Sequence, residues 1–181
     1  MVSFVLVNNI VGRRNLHEYL RAIDQDTTGN RCDVTPLFAD PDSLRALSTD
    51  LASPFRDLSV SHVACLDALG FILGTAVALE LNAGVVPIRK AGKLPVEADL
   101  EPFVDYTGDA KALELRRLAL GPSCRVLIVD EWSETGAQLW AATALVERQL
   151  ARIVGIAAIN IEENETSRAL AKRYRVHTVS K

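Results

Sequence analysis

The sequence predicts an α/β fold, a parallel sheet flanked by helices, and three observations carry that expectation. From Val60 onward, short apolar runs alternate with helix-spaced segments, the pattern of parallel strands joined by right-handed crossovers. The stretch Arg125–Gln138 runs from Val126–Val129 into the adjacent carboxylates Asp130 and Glu131, then into a polar Thr-Gly loop that opens a helix. Open α/β sheets present acids and a phosphate cradle at one strand end in this way, which points to a phosphorylated sugar as ligand. The third observation is composition: 181 residues, 49% hydrophobic and 24% charged, describe one ordinary globular domain with a full core.

Taken in order, residues 1–10 are apolar and read either as an edge strand or as an arm, which periodicity does not separate. Leu16, Tyr19, Leu20 and Ile23 fall at helical spacing, so a short amphipathic helix is predicted over Asn15–Ile23, followed by a loop over Asp24–Arg31. A second helix is marked by Asp40 as cap, Pro41 in its first turn, and Leu44, Leu47, Leu51 and Phe55 on one face. Val60–Leu66 reads as a buried strand, Gly70–Leu81 as a helix, and Gly84–Ile88 as a strand ending at Arg89-Lys90. Ala91–Tyr106 breaks the rhythm with Gly92, Pro95 and several acids, and is expected to be a long functional lid loop. Ala112–Arg117 and Arg125–Val129 follow as strands, Leu139–Leu150 as a helix, Ile153–Ile161 as a strand, Thr166–Arg173 as a helix and Val176–Val179 as a last short strand.

A formal net charge of −3 gives no reason to expect nucleic acid or an anionic membrane as partner, so any anion site must be local. Cys32, Cys65 and Cys124 are odd in number and not set beside histidines at ligand spacing, so they read as free buried thiols of a cytoplasmic protein. The apolar start lacks a basic flank and a small-residue cleavage site, and no run is long enough to span a membrane.

On residue types alone, Asp130 and Glu131 after an apolar strand fit a phosphoryl site, a metal site or a structural cap equally well. The loop Ser133–Gln138 adds backbone amides beside the positive end of the next helix; simple capping by Ser133 or Thr135 is the plainer reading, and the two are compatible. Arg89-Lys90 at a strand end is most simply a solvated terminus, and Tyr106 a locally packed ring.

These residues carry a resemblance. Asp33–Leu37 with Asp40-Pro41, Leu66–Phe71, Val86–Pro95 and Val126–Gln138 together resemble a type I phosphoribosyltransferase, and most closely an adenine phosphoribosyltransferase. The likeness runs over most of the chain from Cys32 onward. Its specific part is Arg89-Lys90-x-Gly92-Lys93-Leu94-Pro95 together with the acid-pair loop. The resemblance implies a single domain over 1–181 with that fold, a divergent N-terminal segment and base-side hood over 1–31, and a lid over 91–106. It implies that a base nitrogen displaces pyrophosphate from C1 of phosphoribosyl pyrophosphate, with Mg2+ on the donor, in purine salvage by a homodimer. By similarity, Asp130 and Glu131 hold the ribose hydroxyls and, through water, the magnesium. Ser133, Thr135, Gly136, Ala137 and Gln138 hold the 5-phosphate. Asp67, Ala68 and Leu69 form the pyrophosphate loop, in which relatives strain a peptide near the Asp-Ala position to expose an amide. Arg89 and Lys90 supply cations to the pyrophosphate near a dimer interface, and Lys93 starts the lid. Asp105 and Tyr106 match the Glu-Tyr pair that closes over the site.

The chain departs from the pattern at several of these positions. The usual Ala-Thr-Gly-Gly-Thr reads Glu134-Thr135-Gly136-Ala137-Gln138, so a methyl stands where glycine lets the backbone approach phosphate closely and permits positive φ, and Gln138 replaces a hydroxyl with a longer amide donor, which is expected to weaken phosphate binding. Glu134 resembles the Asp of 6-oxopurine enzymes, proposed there to assist proton transfer at the base. Leu69 replaces an Arg, and Asn30-Arg31-Cys32 replaces Val-Phe-Arg in the base-recognition segment, which removes an aromatic platform and argues for an altered base. The competing expectation is a non-catalytic regulator that senses phosphoribosyl pyrophosphate or a nucleotide. No helix-turn-helix is readable in the first 25 residues to support it.

Overall fold

The computed structural model describes residues 32–179 together with Tyr19, Arg21, Ile23 and Thr27. The expected strand or arm at 1–10 lies outside the described residues, as do Asn30 and Arg31. Of the helix expected over Asn15–Ile23, Tyr19 and Arg21 are helical, and Tyr19 is buried with its hydroxyl donating to Asp50 Oδ2 at 2.6 Å.

The elements run α1 (Thr35–Ala39), α2 (Pro41–Ala52), a 3-10 turn (Ser53–Leu58), β1 (His62–Leu66), α3 (Leu69–Leu81), β2 (Gly84–Lys90), β3 (Ala98–Val104), β4 (Ala110–Arg116), β5 (Arg125–Ser133), α4 (Ala137–Arg148), β6 (Arg152–Ile161), α5 (Glu165–Arg173) and β7 (Val176–Thr178). The Asp40 cap holds as expected, its carboxylate accepting from the Ser43 amide at 2.7 Å. The short helix α1 before it was not anticipated.

Seven strands form one sheet in the order β3-β4-β2-β1-β5-β6-β7. β2, β1, β5, β6 and β7 are parallel, as the alternation predicted. At one edge the parallel sheet is extended by an antiparallel hairpin, since β4 pairs antiparallel with both β2 and β3.

The expectation that Ala91–Tyr106 is a long loop is corrected over Ala98–Val104, which is a strand. Its alternation is inverted: Asp99, Glu101 and Phe103 are half-buried, while Leu100, Pro102 and Val104 face outward. The two acids look like loop composition until their partners are seen. Gln149, just past α4, donates to Asp99 at 3.0 Å, Arg117 lies 3.5 Å from the same carboxylate, and Arg148 pairs with Glu101, so both acids are satisfied. Pro102 is tolerated because β3 is an edge strand. What remains as connection is 91–97 and the hairpin tip 105–109.

A hydrophobic core fills each face of the sheet. One packs Leu139, Ala142, Leu145 and Val146 of α4 against Ile128, Ile156, Leu113 and Leu115. The other packs Leu47 and Leu51 of α2 and Leu73 and Val77 of α3 against Val63, Leu127 and Val129. With both faces covered, the parallel strands can be almost wholly apolar, which is why they were readable as runs. Of the three thiols, Cys65 is buried, whereas Cys32 and Cys124 are half-buried. Burial pushes the Cys65 thiol up to about 12, so it is inert.

Candidate active site

Because β2, β1, β5 and β6 are parallel, their carboxyl ends lie along one edge, where open sheets bind ligands. Crossing that edge in space, one meets Arg89-Lys90, then Asp67–Leu69, then Asp130–Gln138, then the connection into α5. The sequence-predicted site residues that fall within the described chain are thus mostly neighbours.

The acid pair does not follow β5 but belongs to it, a correction of the expectation that the strand ends at Val129. Asp130 is 3% exposed, and its Oδ1 accepts from the Glu131 amide at 2.9 Å. Burial first, and then the neighbouring Glu131 carboxylate, hold its carboxyl well above the usual range. The approach of α3 is part of that burial, for a Cβ on Gly70 would lie 3.0 Å from Asp130 Oδ1. Glu131 Oε2 is buried without a hydrogen-bond partner among the described residues. An orphaned carboxylate oxygen beside a second carboxyl suits ribose hydroxyls or a hard divalent cation. Among the described residues no cluster of three or more metal-ligating side chains occurs.

Beyond Ser133 the chain turns into α4 through Gly136, whose φ of 79° is the left-handed one. Ala137 is the first helical residue, so its methyl meets no conformational penalty, and the expected loss on that ground does not arise. The helix has no side-chain cap; the nearest substitute is Thr135 Oγ1, which accepts from the Ala137 amide at 3.3 Å. With only this long bond to Ala137, the positive end of α4 is left available to an anion.

On the other side of β1, the Asp67–Ala68 peptide is cis, at the position where the resemblance placed an unusual peptide. Leu69 opens α3 and packs against the core rather than facing the edge as a cation would. Arg89 donates through Nη1 to Lys93 O at 3.0 Å, and its Nε lies 3.8 Å from Asp67 Oδ2 without a hydrogen bond. Sequence reasoning missed the residue that organises this corner. Glu114 on β4 is 4% exposed and accepts from the amides of Gly92 at 3.0 Å, Lys93 at 2.7 Å and Leu94 at 2.5 Å. Burial alone would raise its pKa, but these three amides and the Arg89 guanidinium outweigh it, and the carboxyl stands below its usual value. The available signal was an acid inside the apolar run Ala112–Leu115.

A cleft joins the hairpin to the Ser133–Gln138 loop. Lys90 of β2, Phe103, Asp105, Tyr106 and Lys111 of the hairpin, and Trp132, Ser133, Glu134, Thr135 and Gln138 line it. Tyr106 is 47% exposed. Asp105 pairs with Lys111 and accepts from Thr107 Oγ1 at 2.6 Å, and these two groups hold its carboxyl far below the usual range. It is an anion that shapes the tip, and its oxygens are committed there. Lys111 and Trp132 were missed, although both flank motifs already singled out.

A sheet edge with the buried Asp130 beside the half-buried Glu131, a helix start without a side-chain cap and two cations, covered by a hairpin, defines a class: an α/β protein whose strand ends set a carboxylate pair between anion-attracting groups. Known proteins narrow that class. No family model matches the chain. An adenine phosphoribosyltransferase from Dinoroseobacter shibae is 44% identical over 147 residues, covering 80% of this chain and 82% of the relative. One from Rhodopirellula baltica is 41% identical over 150 residues, covering 81% and 71%. Among solved structures, adenine phosphoribosyltransferase from Rhodothermus marinus superposes with a TM-score of 0.83 at 32% identity, covering 91% of this chain and 96% of that one. The Giardia lamblia enzyme complexed with 9-deazaadenine gives 0.82 at 26% identity, covering 92% and 97%. The chain belongs to the adenine phosphoribosyltransferase family.

Proposed function

We propose that this chain transfers ribose 5-phosphate from phosphoribosyl pyrophosphate to a purine base of the adenine type and releases pyrophosphate, as a cytoplasmic homodimer in purine salvage. The observation that carries the reading is the gathering of Asp130, Glu131, the open start of α4 and Arg89-Lys90 on one sheet edge. Asp130 and Glu131 hold the ribose hydroxyls, and their carboxylates would hold, through water, the Mg2+ that accompanies the donor. Bound there, a hard cation would supply positive charge to the leaving pyrophosphate. Ser133 to Gln138 hold the 5-phosphate by backbone amides. Arg89, Lys90 and Lys93, with the Asp67–Leu69 turn, hold the pyrophosphate. Fixing both phosphate ends leaves C1 exposed to the base, and the oxocarbenium-like charge that develops there faces the acid pair. Tyr106 on the hairpin excludes water from the cleft, and Glu134 is an acid on the base side.

The homodimer reading draws on α3. Leu73 and Val77 are buried against the sheet, yet Ile72 and Leu79 on the same helix are exposed, as is Val85 at the start of β2. A helix apolar on both sides calls for a second covering surface, here a second copy. No helix among the described residues is long and apolar enough to cross a membrane. No observation favours a non-catalytic donor sensor.

The test is incubation with phosphoribosyl pyrophosphate, Mg2+ and, separately, adenine, hypoxanthine, guanine, xanthine or a pyrimidine, following pyrophosphate. Release with adenine is expected. Donor binding with no release for any base would overturn the reading.

A further inference from the structure

We propose that Asn164, which lies outside the cleft, is a positioning residue for the phosphate loop. Two carbonyls of that loop are held from behind by the connection between β6 and α5: the Glu162 amide donates to Ser133 O at 2.9 Å, and Asn164 Nδ2 donates to Glu134 O at 2.8 Å. A trans peptide points its N–H opposite to its C=O. Among the described residues, only Asp67–Ala68 is cis. Fixing these two carbonyls toward the connection aims the amides of Glu134 and Thr135 away from it, just ahead of the uncapped start of α4.

The same side chain is committed at its other end. Asn164 Oδ1 accepts from the Ser167 amide at 2.9 Å, while Ser167 Oγ accepts from the Asn164 amide at 2.9 Å, a reciprocal cap on α5. One residue thus ties the start of α5 to the loop in front of α4. Gly136 confirms how closely the two meet, for a Cβ there would lie 3.2 Å from Thr166 Cγ2 and 3.4 Å from the Ser167 amide. Asparagine offers an acceptor for the cap and, on a separate atom, a donor for the carbonyl; aspartate caps equally well but has no donor, and serine caps with a single shorter hydroxyl that has no second arm to extend to Glu134 O.

That difference separates positioning from mere structure. In Asn164→Ser and Asn164→Asp the cap survives and the loop carbonyl is released, whereas Asn164→Ala loses both. This inference rests on the phosphoribosyl reading above. The experiment measures thermal midpoint, ribose 5-phosphate binding by calorimetry, and KM for phosphoribosyl pyrophosphate and for base, in the wild type and the three variants. For Ser, the neutral replacement, the expected result is an unchanged midpoint, roughly three- to tenfold weaker ribose 5-phosphate binding, a KM for donor raised by the same factor, and kcat and base KM within about twofold. Asp should keep the midpoint and weaken donor binding at least as much, and Ala should also lower the midpoint. Ser and Asp variants that match the wild type in phosphate binding overturn the proposal, as does a rise in base KM equal to that in donor KM, which would mark general loosening. A wild type that binds ribose 5-phosphate but turns over no base leaves the binding arm decisive for Asn164 while sinking the enzymatic reading. A wild type that binds neither overturns both.

Discussion

Replacing Glu114 by Gln should destabilise the protein by about 2–3 kcal/mol at neutral pH, and the reasoning can be followed atom by atom. Glu114 Oε1 accepts from Lys93 and Leu94, and Oε2 accepts from Gly92 at 3.0 Å. A glutamine that keeps its oxygen toward Lys93 and Leu94 must turn its amide nitrogen on the Gly92 N–H, donor against donor. One charge-assisted bond, worth roughly 1.5–3 kcal/mol, is lost, and the other two weaken. In a domain of this size that corresponds to a fall in Tm of roughly 4–10 °C. The pH dependence supplies an internal control. Because the folded-state pKa of Glu114 lies below its ordinary value of 4.5, its stabilising contribution is complete above that value and is lost as pH falls through the folded value. Urea titrations of wild type and Glu114→Gln should therefore differ by a constant amount from pH 6 to 8 and converge in acid. Function should respond at one place, the turn that presents Lys93 and holds Arg89, with a raised KM for the donor. Equal stability at pH 7, or a difference that persists undiminished in acid, would refute the account.

Asp130→Asn should behave in the opposite sense. A carboxyl whose folded pKa is raised opposes folding once the pH exceeds its unfolded value, so the substitution should match or exceed wild-type stability at pH 8, by roughly 1 kcal/mol, with the gap closing in acid while activity is lost. Gly70→Ala places a Cβ 3.0 Å from Asp130 Oδ1 and 3.3 Å from Val129 O, and steady-state assays should show turnover falling about tenfold or more with only a small drop in Tm. Gly155→Ala puts a Cβ 2.2 Å from Phe55 and 2.9 Å from the Arg175 carbonyl, which should cost about 1–3 kcal/mol in urea titration while activity per folded molecule is unchanged. Glu134→Ala should lower kcat with adenine more than it alters donor KM; full retention of kcat would remove Glu134 from the base side.

What the sequence revealed and what it hid divide along one physical line. The parallel strands around Asp130 were legible because both faces of each are buried, so Val126–Val129 and Ile156–Ile159 show as unbroken apolar runs whatever packs on them. The edge strand β3 was hidden because its inward positions carry Asp99 and Glu101, acids that satisfy α4 through Gln149 and Arg148. A pattern of polarity identifies a buried face only when the partners are apolar, and here the partners lie some 50 residues away along the chain, beyond any local period. The site divides in the same manner. Asp130, Glu131 and the Thr135-Gly136 turn announce themselves by adjacency, since they follow one another along the end of β5 and the turn into α4. Glu114 and Asn164 touch that loop or the one beside it only through backbone groups, and a backbone amide or carbonyl has no letter in the sequence. Ala137 shows the limit from the other side. Read as a letter it stood where a glycine was expected, but the positive φ belongs to Gly136, so the substitution changes what can approach the helix start without straining the chain. On the proposed reading its effect on phosphate affinity depends on where two loop amides are aimed, that of Glu134 by the Glu162 amide behind Ser133 O and that of Thr135 by the side chain of Asn164 behind Glu134 O.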